Sequence, residues 1–382
     1  MGGLAGGLRP GRLRPAADGR LAPAPLRAER ATYQERGRVS SAAVPAPEPR
    51  RPPAGRSDAA RPTGRRAPGC LRGGAPSWYA QENDVNYVIL THGGVTAPQS
   101  GSESCARAAD EARRALDEGG EALAAAIGAT VRLEDDPRFN AGTGSNLRLD
   151  GRTVEMDAAV MASDGRFGAV ACIERVKNPV LVAAKVMETP HLLLAGAGAT
   201  AFARRLGFAE HEPITEEARS KHARALAALR GEGGDDETTN DAARFRALTA
   251  TRFWNFDAEP IECDTVGAVV RDTHGRFAAA ASTGGSTYSL RGRVGDVPLL
   301  GAGIYAGPHG AVAATGVGEE IARRFLARTV YDWLADGVAP ARAAQRGVAM
   351  FPDVLAVGVL VVGRSGQAIA SNRAMASAQL VG

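Results

Sequence analysis

The chain has 382 residues, 44% of them hydrophobic, with 46 basic and 42 acidic side chains and a formal net charge of +4, which is enough apolar material for one large domain or two ordinary ones. No run reaches the roughly 18 apolar residues of a membrane-spanning helix, and four cysteines in so long a chain are too few for a disulfide scaffold, which excludes the transmembrane and small disulfide-rich classes. The charge is unevenly spread: residues 1–80 carry 15 Arg, no Lys, 5 acidic residues and 12 of the 22 prolines, a net +10 that leaves −6 for the remainder.

In residues 1–80, Arg, Pro, Gly and Ala dominate without period. Large apolar side chains are too sparse to offset the entropy of ordering, so the segment reads as a disordered extension or as a start codon placed too early. A transit peptide and a nucleic-acid-binding arm are the alternatives, but neither an amphipathic stripe nor interleaved aromatics support them. From Val85 the texture changes to short apolar runs bounded by glycines. Val85–Leu90 reads as a buried strand ending at Thr91-His92-Gly93-Gly94, Ser104–Thr130 as helix, and Thr153–Met161 and Phe167–Glu174 as strands. Asn178-Pro179 opens a helix running to Glu188, and His191–Gly196 returns as a strand. Residues 208–258 are charged and loop-like, and a structureless stretch of that length usually serves function or processing. Strands Thr265–Arg271 and Arg276–Ser282 follow, then a glycine-rich stretch, a short strand to Thr315, helices near Glu319–Ala335 and Pro340–Ala349, and a hairpin of Val354–Val362 with Gln367–Ser371.

The six histidines (His92, His191, His211, His222, His274, His309) and four cysteines (Cys70, Cys105, Cys172, Cys263) form no metal-ligand spacing. A phosphate loop, a dinucleotide fingerprint and a GxSxG elbow are also missing from the sequence. What remains is a density of Thr and Gly at Asp264-Thr265-Val266-Gly267, Ser282-Thr283-Gly284-Gly285, Gly292-Arg293-Val294-Gly295-Asp296 and Thr315-Gly316-Val317-Gly318-Glu319.

The order and spacing of these motifs, joined to His92-Gly93-Gly94, Phe139-Asn140-Ala141-Gly142 and Glu155-Met156-Asp157-Ala158, resemble the plant-type L-asparaginase/isoaspartyl peptidases, threonine members of the N-terminal-nucleophile hydrolases. The resemblance covers residues 84–382. It implies an α+β fold of the four-layer αββα kind and an inactive precursor that cleaves itself between Asp264 and Thr265. The products would be an α subunit of residues 84–264, with a mobile linker over 208–258, and a β subunit of residues 265–382. A Thr hydroxyl is a poor nucleophile unless a base takes its proton, and a free α-amino group has a pKa of about 7.7–8.0, close to working pH. After cleavage Thr265 would supply nucleophile and base from one residue, and its β-methyl restricts χ1.

By the same resemblance Thr283 hydrogen-bonds the nucleophile; the plainer reading is a turn threonine after a strand. Arg293 and Asp296 match residues that hold a substrate's α-carboxylate and α-ammonium, for which an Arg fork and a carboxylate are suited; a surface salt bridge is the alternative. Thr315 and Gly316 match an oxyanion hole and Gly318 a point where backbone meets substrate, unless these glycines only turn the chain. Asn140 matches an active-site asparagine or merely stabilises a turn. The backbone carbonyls of Leu133, Glu134, Asp136, Phe139, Ala141 and Thr143 resemble the family's sodium loop, carbonyl oxygen being a hard donor suited to such an ion. No catalytic cofactor is implied. His92 is expected to cap its strand and pack structurally.

One departure concerns the residue before the nucleophile, Asp264 in place of the plant-type glycine, as in glycosylasparaginases and taspase-like proteases. The expectation is hydrolysis of L-asparagine and β-aspartyl dipeptides by a cytoplasmic homodimer of αβ units, with neither nucleic acid nor membrane as partner. A glycosylated asparagine or a protein aspartyl bond is the rival substrate, and a non-catalytic amino-acid-binding protein on the same fold is the rival class.

Overall fold

The computed structural model describes residues 87–97, 99–229 and 265–382, all within one compact unit spanning 76–382. The expectations for residues 1–80, for Asp264 and for linker residues 230–258 lie outside the described residues. The fold is α+β. Eleven strands are described: β1 Val88–Gly94, β2 Met156–Ala162, β3 Phe167–Ile173, β4 Leu193–Ala195, β5 Val266–Arg271, β6 Phe277–Thr283, β7 Ile304–Gly307, β8 Gly310–Gly316, β9 Val357–Gly363, β10 Gly366–Ser371 and β11 Ala376–Val381. They form a seven-stranded sheet in the order β11-β1-β5-β6-β2-β3-β4 and a four-stranded sheet in the order β10-β9-β8-β7. Every pairing is antiparallel except β3 with β4.

The central strands are buried on both faces, so they read as continuous runs of small apolar residues, such as Phe277-Ala-Ala-Ala-Ala-Ser-Thr283, rather than as apolar/polar alternation. Their side chains still alternate between two cores. One face carries Ile89, Ala158, Val160, Val266, Ala268, Val270, Ala278 and Ala280, which cluster with residues of α1 Ser102–Asp117, α2 Ala122–Glu134 and α3 Pro179–Met187. The other carries Leu90, Ala159, Val269, Ala279 and Ala281, which cluster with Ala311, Ala313, Leu360 and Val362 of the four-stranded sheet. The remaining side chains of that sheet, among them Val312, Ala314, Val359 and Val361, pack with α6 Gly318–Arg324, α7 Leu326–Ala335 and α8 Pro340–Val348.

Several expected elements are revised. The helix over Ser104–Thr130 is two helices, because Gly119 adopts φ +85 and a side chain on Gly120 would strike the Ala115 carbonyl. The strand expected to Gly196 is only Leu193–Ala195, after which Gly196–Arg205 forms α4. Within the stretch expected to be loop, Glu216–Leu229 forms α5. The helix near Glu319–Ala335 breaks at Phe325, a left-handed residue with φ +45, and the terminal hairpin is followed by β11, which pairs with β1.

Candidate active site

Strand register assembles the threonines. The antiparallel pair Val266↔Ser282 brings Thr265 alongside Thr283, and Thr283 in turn pairs with Asp157 of β2. By alternation Thr265, Thr283 and Asp157 lie on the face that meets the four-stranded sheet, where Thr315 lies on the facing side of β8. All four are buried.

The Thr265 and Thr315 hydroxyls have no hydrogen-bond partner among the described residues. A buried hydroxyl left unpaired costs about 1–3 kcal/mol, so two on one inter-sheet face mark a place where the fold keeps donors and acceptors in reserve. The Thr283 hydroxyl accepts the Gly285 N–H at 3.1 Å. Asn140 buttresses the same turn: its amide donates to the Gly285 carbonyl at 2.6 Å, its amide oxygen accepts the Asn146 N–H at 2.9 Å, and its carbonyl accepts the Gly284 N–H at 2.9 Å. Gly316 ends β8 at φ +139, and a Cβ there would lie 2.2 Å from the Ala356 carbonyl, so the residue after Thr315 has to be glycine. His92 is fully buried, and neither ring nitrogen has a hydrogen-bond partner among the described residues. Burial pushes its imidazole down to about 4, opposed in part by the Thr265 backbone, which leaves the ring neutral at ordinary pH.

Arg293 reaches Glu319 bidentately, Nε to Oε1 at 2.8 Å and Nη2 to Oε2 at 2.7 Å. Asp296 is buried, its Oδ2 without a hydrogen-bond partner among the described residues, and burial pushes its carboxyl up to about 7 against the pull of Arg293. Gly318 leaves room for both: a Cβ there would lie 2.8 Å from both Arg293 Nη2 and Asp296 Oδ1. Cation, carboxylate and a bare stretch of backbone are thus brought together, the chemistry for a zwitterionic amino acid.

The expected ion loop follows α2. The carbonyls of Leu133, Asp136, Phe139 and Ala141 accept the N–H groups of Asp136, Phe139, Ala141 and Gly144; that of Leu133 also accepts the Asp135 N–H, while the other three keep a second lone pair. The Glu134 and Phe139 carbonyls crowd the glycines, 2.5 and 2.0 Å from where Cβ atoms of Gly142 and Gly144 would lie; Thr143 sits between them. The acidic side chains are only partly engaged elsewhere, since the buried Glu134 Oε2 has no hydrogen-bond partner among the described residues. Glu134 accepts the Val180 N–H and is pushed up to about 8 by burial, while Asp136, despite partial burial, is held down to about 2 by hydrogen bonds from Arg138. The carbonyl oxygens of the loop are hard, uncharged donors of the kind that suits a monovalent cation. Among the described residues no cluster of three or more His, Cys, Asp or Glu is placed to hold a metal, and no helix is long and apolar enough to cross a membrane.

Residue patterns did not single out Glu319, Arg148, Glu155, Asp157 or Cys172 as site residues. The signal available was polarity out of place, since Glu155 directly precedes β2 and Asp157 lies in it, while the strand's other residues are apolar.

A family model described as Asparaginase matches residues 87–381. The isoaspartyl peptidase/L-asparaginase of Mus musculus is 36% identical over 314 residues, covering 79% of this chain and 89% of that protein. The plant-type L-asparaginases of Pyrococcus furiosus and Thermococcus kodakarensis are 40% and 38% identical over 260 and 298 residues, covering 65% and 73% of this chain and 78% and 90% of theirs.

Proposed function

Because this chain belongs to the asparaginase family, whose model spans residues 87–381, we propose that it hydrolyses β-aspartyl amide bonds, converting L-asparagine to aspartate and ammonia and opening β-aspartyl dipeptides. The observation that carries the mechanism is the pair of buried, unpartnered hydroxyls of Thr265 and Thr315 on one inter-sheet face. Cleavage of the Asp264–Thr265 bond frees the Thr265 α-amino group. That amine takes the hydroxyl proton as Oγ attacks the substrate's side-chain carbonyl carbon. The Thr315 hydroxyl and the Gly316 N–H donate to the oxygen that becomes negative. The proton passes to the leaving nitrogen, ammonia or an amino compound departs, and a β-aspartyl ester on Thr265 remains. Water then attacks the ester, gives its proton to the α-amine, and frees aspartate as Oγ is reprotonated. Thr283 and Asn140 fix the turn beside the nucleophile. Arg293 takes the α-carboxylate and Asp296, ionised, the α-ammonium.

The same reading makes the architecture a four-layer αββα sandwich, cut into α (84–264) and β (265–382) subunits that pair as a homodimer of αβ units in the cytoplasm, with small-molecule rather than nucleic-acid or membrane partners. A sodium ion held by the carbonyls of residues 133–143 would stiffen the loop that carries Asn140. A second reading is a larger aspartyl substrate, as for a glycosylasparaginase-like or taspase-like hydrolase; Asp264 itself bears on maturation more than on substrate. Assaying L-asparagine, a β-aspartyl dipeptide and a glycosylasparagine side by side tests both: turnover of the first two supports the main reading, and turnover of the glycosylasparagine alone supports the second.

A further inference from the structure

The loop that carries Arg293 and Asp296 is exposed at Arg291, Gly292 and Val294, yet its backbone is gripped at three points by side chains from the first half of the chain. Glu155 Oε2 accepts the Gly292 N–H at 2.7 Å, and Asp157 Oδ2 accepts the Gly295 N–H at 3.1 Å. The Arg293 carbonyl between them accepts from Arg148 Nη2 at 3.3 Å and from Cys172 Sγ at 3.4 Å. The gripping groups are themselves cross-braced. Glu155 Oε2 also accepts Arg148 Nε at 3.2 Å, and Asp157 Oδ1 accepts the Cys172 N–H at 2.8 Å. Cys172 is held at φ +49, a left-handed conformation unusual for a non-glycine residue, which turns both its N–H and its Sγ toward this cluster. Arg148 and Asp157 are fully buried and Glu155 and Cys172 nearly so, so these bonds form away from water, where charge-assisted hydrogen bonds are strong.

We infer that Glu155 and Asp157, braced by Arg148 and Cys172, are positioning residues that set the pose of the Arg293/Asp296 substrate clamp, an inference that rests on the reading of those two side chains as the amino-acid grip. The acids sit on the α side of the proposed cut and the loop on the β side, so the two subunits build the substrate grip jointly. An Asp157→Asn side chain offers one acceptor where two N–H groups need one each, so either the Cys172 or the Gly295 bond is lost and the loop loosens. The reacting atoms are untouched. The effect therefore falls on recognition of the α-carboxylate and α-ammonium rather than on bond breaking.

Two measurements test this. Hydrogen exchange on the wild-type protein is expected to show the Gly292 and Gly295 amides exchanging as slowly as strand amides although the loop is exposed; rapid exchange at both overturns the clamp, whether or not the protein turns over asparagine. Kinetics of Asp157→Asn, normalised to cleaved enzyme, are expected to show KM for L-asparagine raised roughly tenfold or more, with kcat within about threefold. The preference for asparagine over its α-amide, which lacks the carboxylate, should shrink by a similar factor. An unchanged preference, or an equal loss on both substrates, overturns the positioning role. If Asp157→Asn does not fold, wild-type exchange still decides the geometry. A wild-type protein without asparaginase activity would count against the functional reading, and the exchange result would stand separately.

Discussion

Arg293 and Glu319 face one another as a two-bond ion pair, Nε to Oε1 at 2.8 Å and Nη2 to Oε2 at 2.7 Å, 26 residues apart and across the Gly318 backbone. Against its own burial, Glu319 is held below the usual carboxylate range by Arg293. On the proposed reading, in which Arg293 takes the substrate's α-carboxylate, the guanidinium is thereby fixed in plane before substrate arrives. Glu319→Gln keeps the shape and loses the charge, so KM for asparagine should rise about tenfold, with a smaller change in kcat. Steady-state kinetics check this, and an unaltered KM would remove Glu319 from the account.

Thr315 offers a sharper separation of function from stability. Its hydroxyl is buried without a partner among the described residues, so Thr315→Val removes a polar group that contributes no hydrogen bond to the fold. The midpoint of thermal unfolding should hold or rise by a few degrees. On the proposed reading of Thr315 as an oxyanion donor, its loss should lower kcat by roughly a hundredfold or more, with KM little changed. A variant with full activity would deny the hydroxyl its catalytic role.

Asp296 predicts a pH dependence whose sign can be worked out. Burial raises its carboxyl from 3.8 to about 7 in the folded protein. Between those values the native state holds a proton that the unfolded chain has released. The stability from this group is fully present below pH 4, declines as pH rises through that window, and is gone above about pH 7. Asp296→Asn removes the titration, so its unfolding midpoint relative to wild type should climb from pH 4 to pH 8; a constant difference would contradict the shift. Because the ionised form is the one that accepts from an ammonium group, the wild-type advantage over Asp296→Asn in kcat/KM should grow across the same range.

Gly267 is required by His92. A Cβ on Gly267 would lie 2.7 Å from His92 Nε2 and 3.0 Å from the Ala280 carbonyl, two residues along from Thr265. Gly267→Ala should destabilise by about 1–3 kcal/mol, and His92→Ala in the same chain should restore part of that loss. A double-mutant cycle by denaturant unfolding measures the coupling; strict additivity would contradict the contact.

Much of the candidate site is legible in the sequence because its polar residues sit in short strings at strand ends. Thr265, Thr283 and Thr315 stand at the ends of strands whose apolar runs announced them, and register then placed the first two side by side. The strand cores were legible for the same reason, runs of small apolar residues bounded by glycine. What was hidden depends on partners distant in sequence. The break at Phe325, the strand β11 and the grip of Glu155 and Asp157 on residues 292–295 leave no local period to read. The helix Glu216–Leu229 was obscured by high charge, which reads as loop until a packed face is known; among its described side chains Ala218, His222 and Ala225 are buried, and they fall at helical spacing.

The central claim is that Thr265 becomes an N-terminal residue and acts as the nucleophile. Intact-mass and N-terminal sequencing of the purified protein test it most directly. Wild type should yield a fragment beginning at Thr265 and ending at Gly382, and Thr265→Ala should remain a single uncut chain without asparaginase activity. A wild-type chain that stays whole while hydrolysing asparagine would contradict the account.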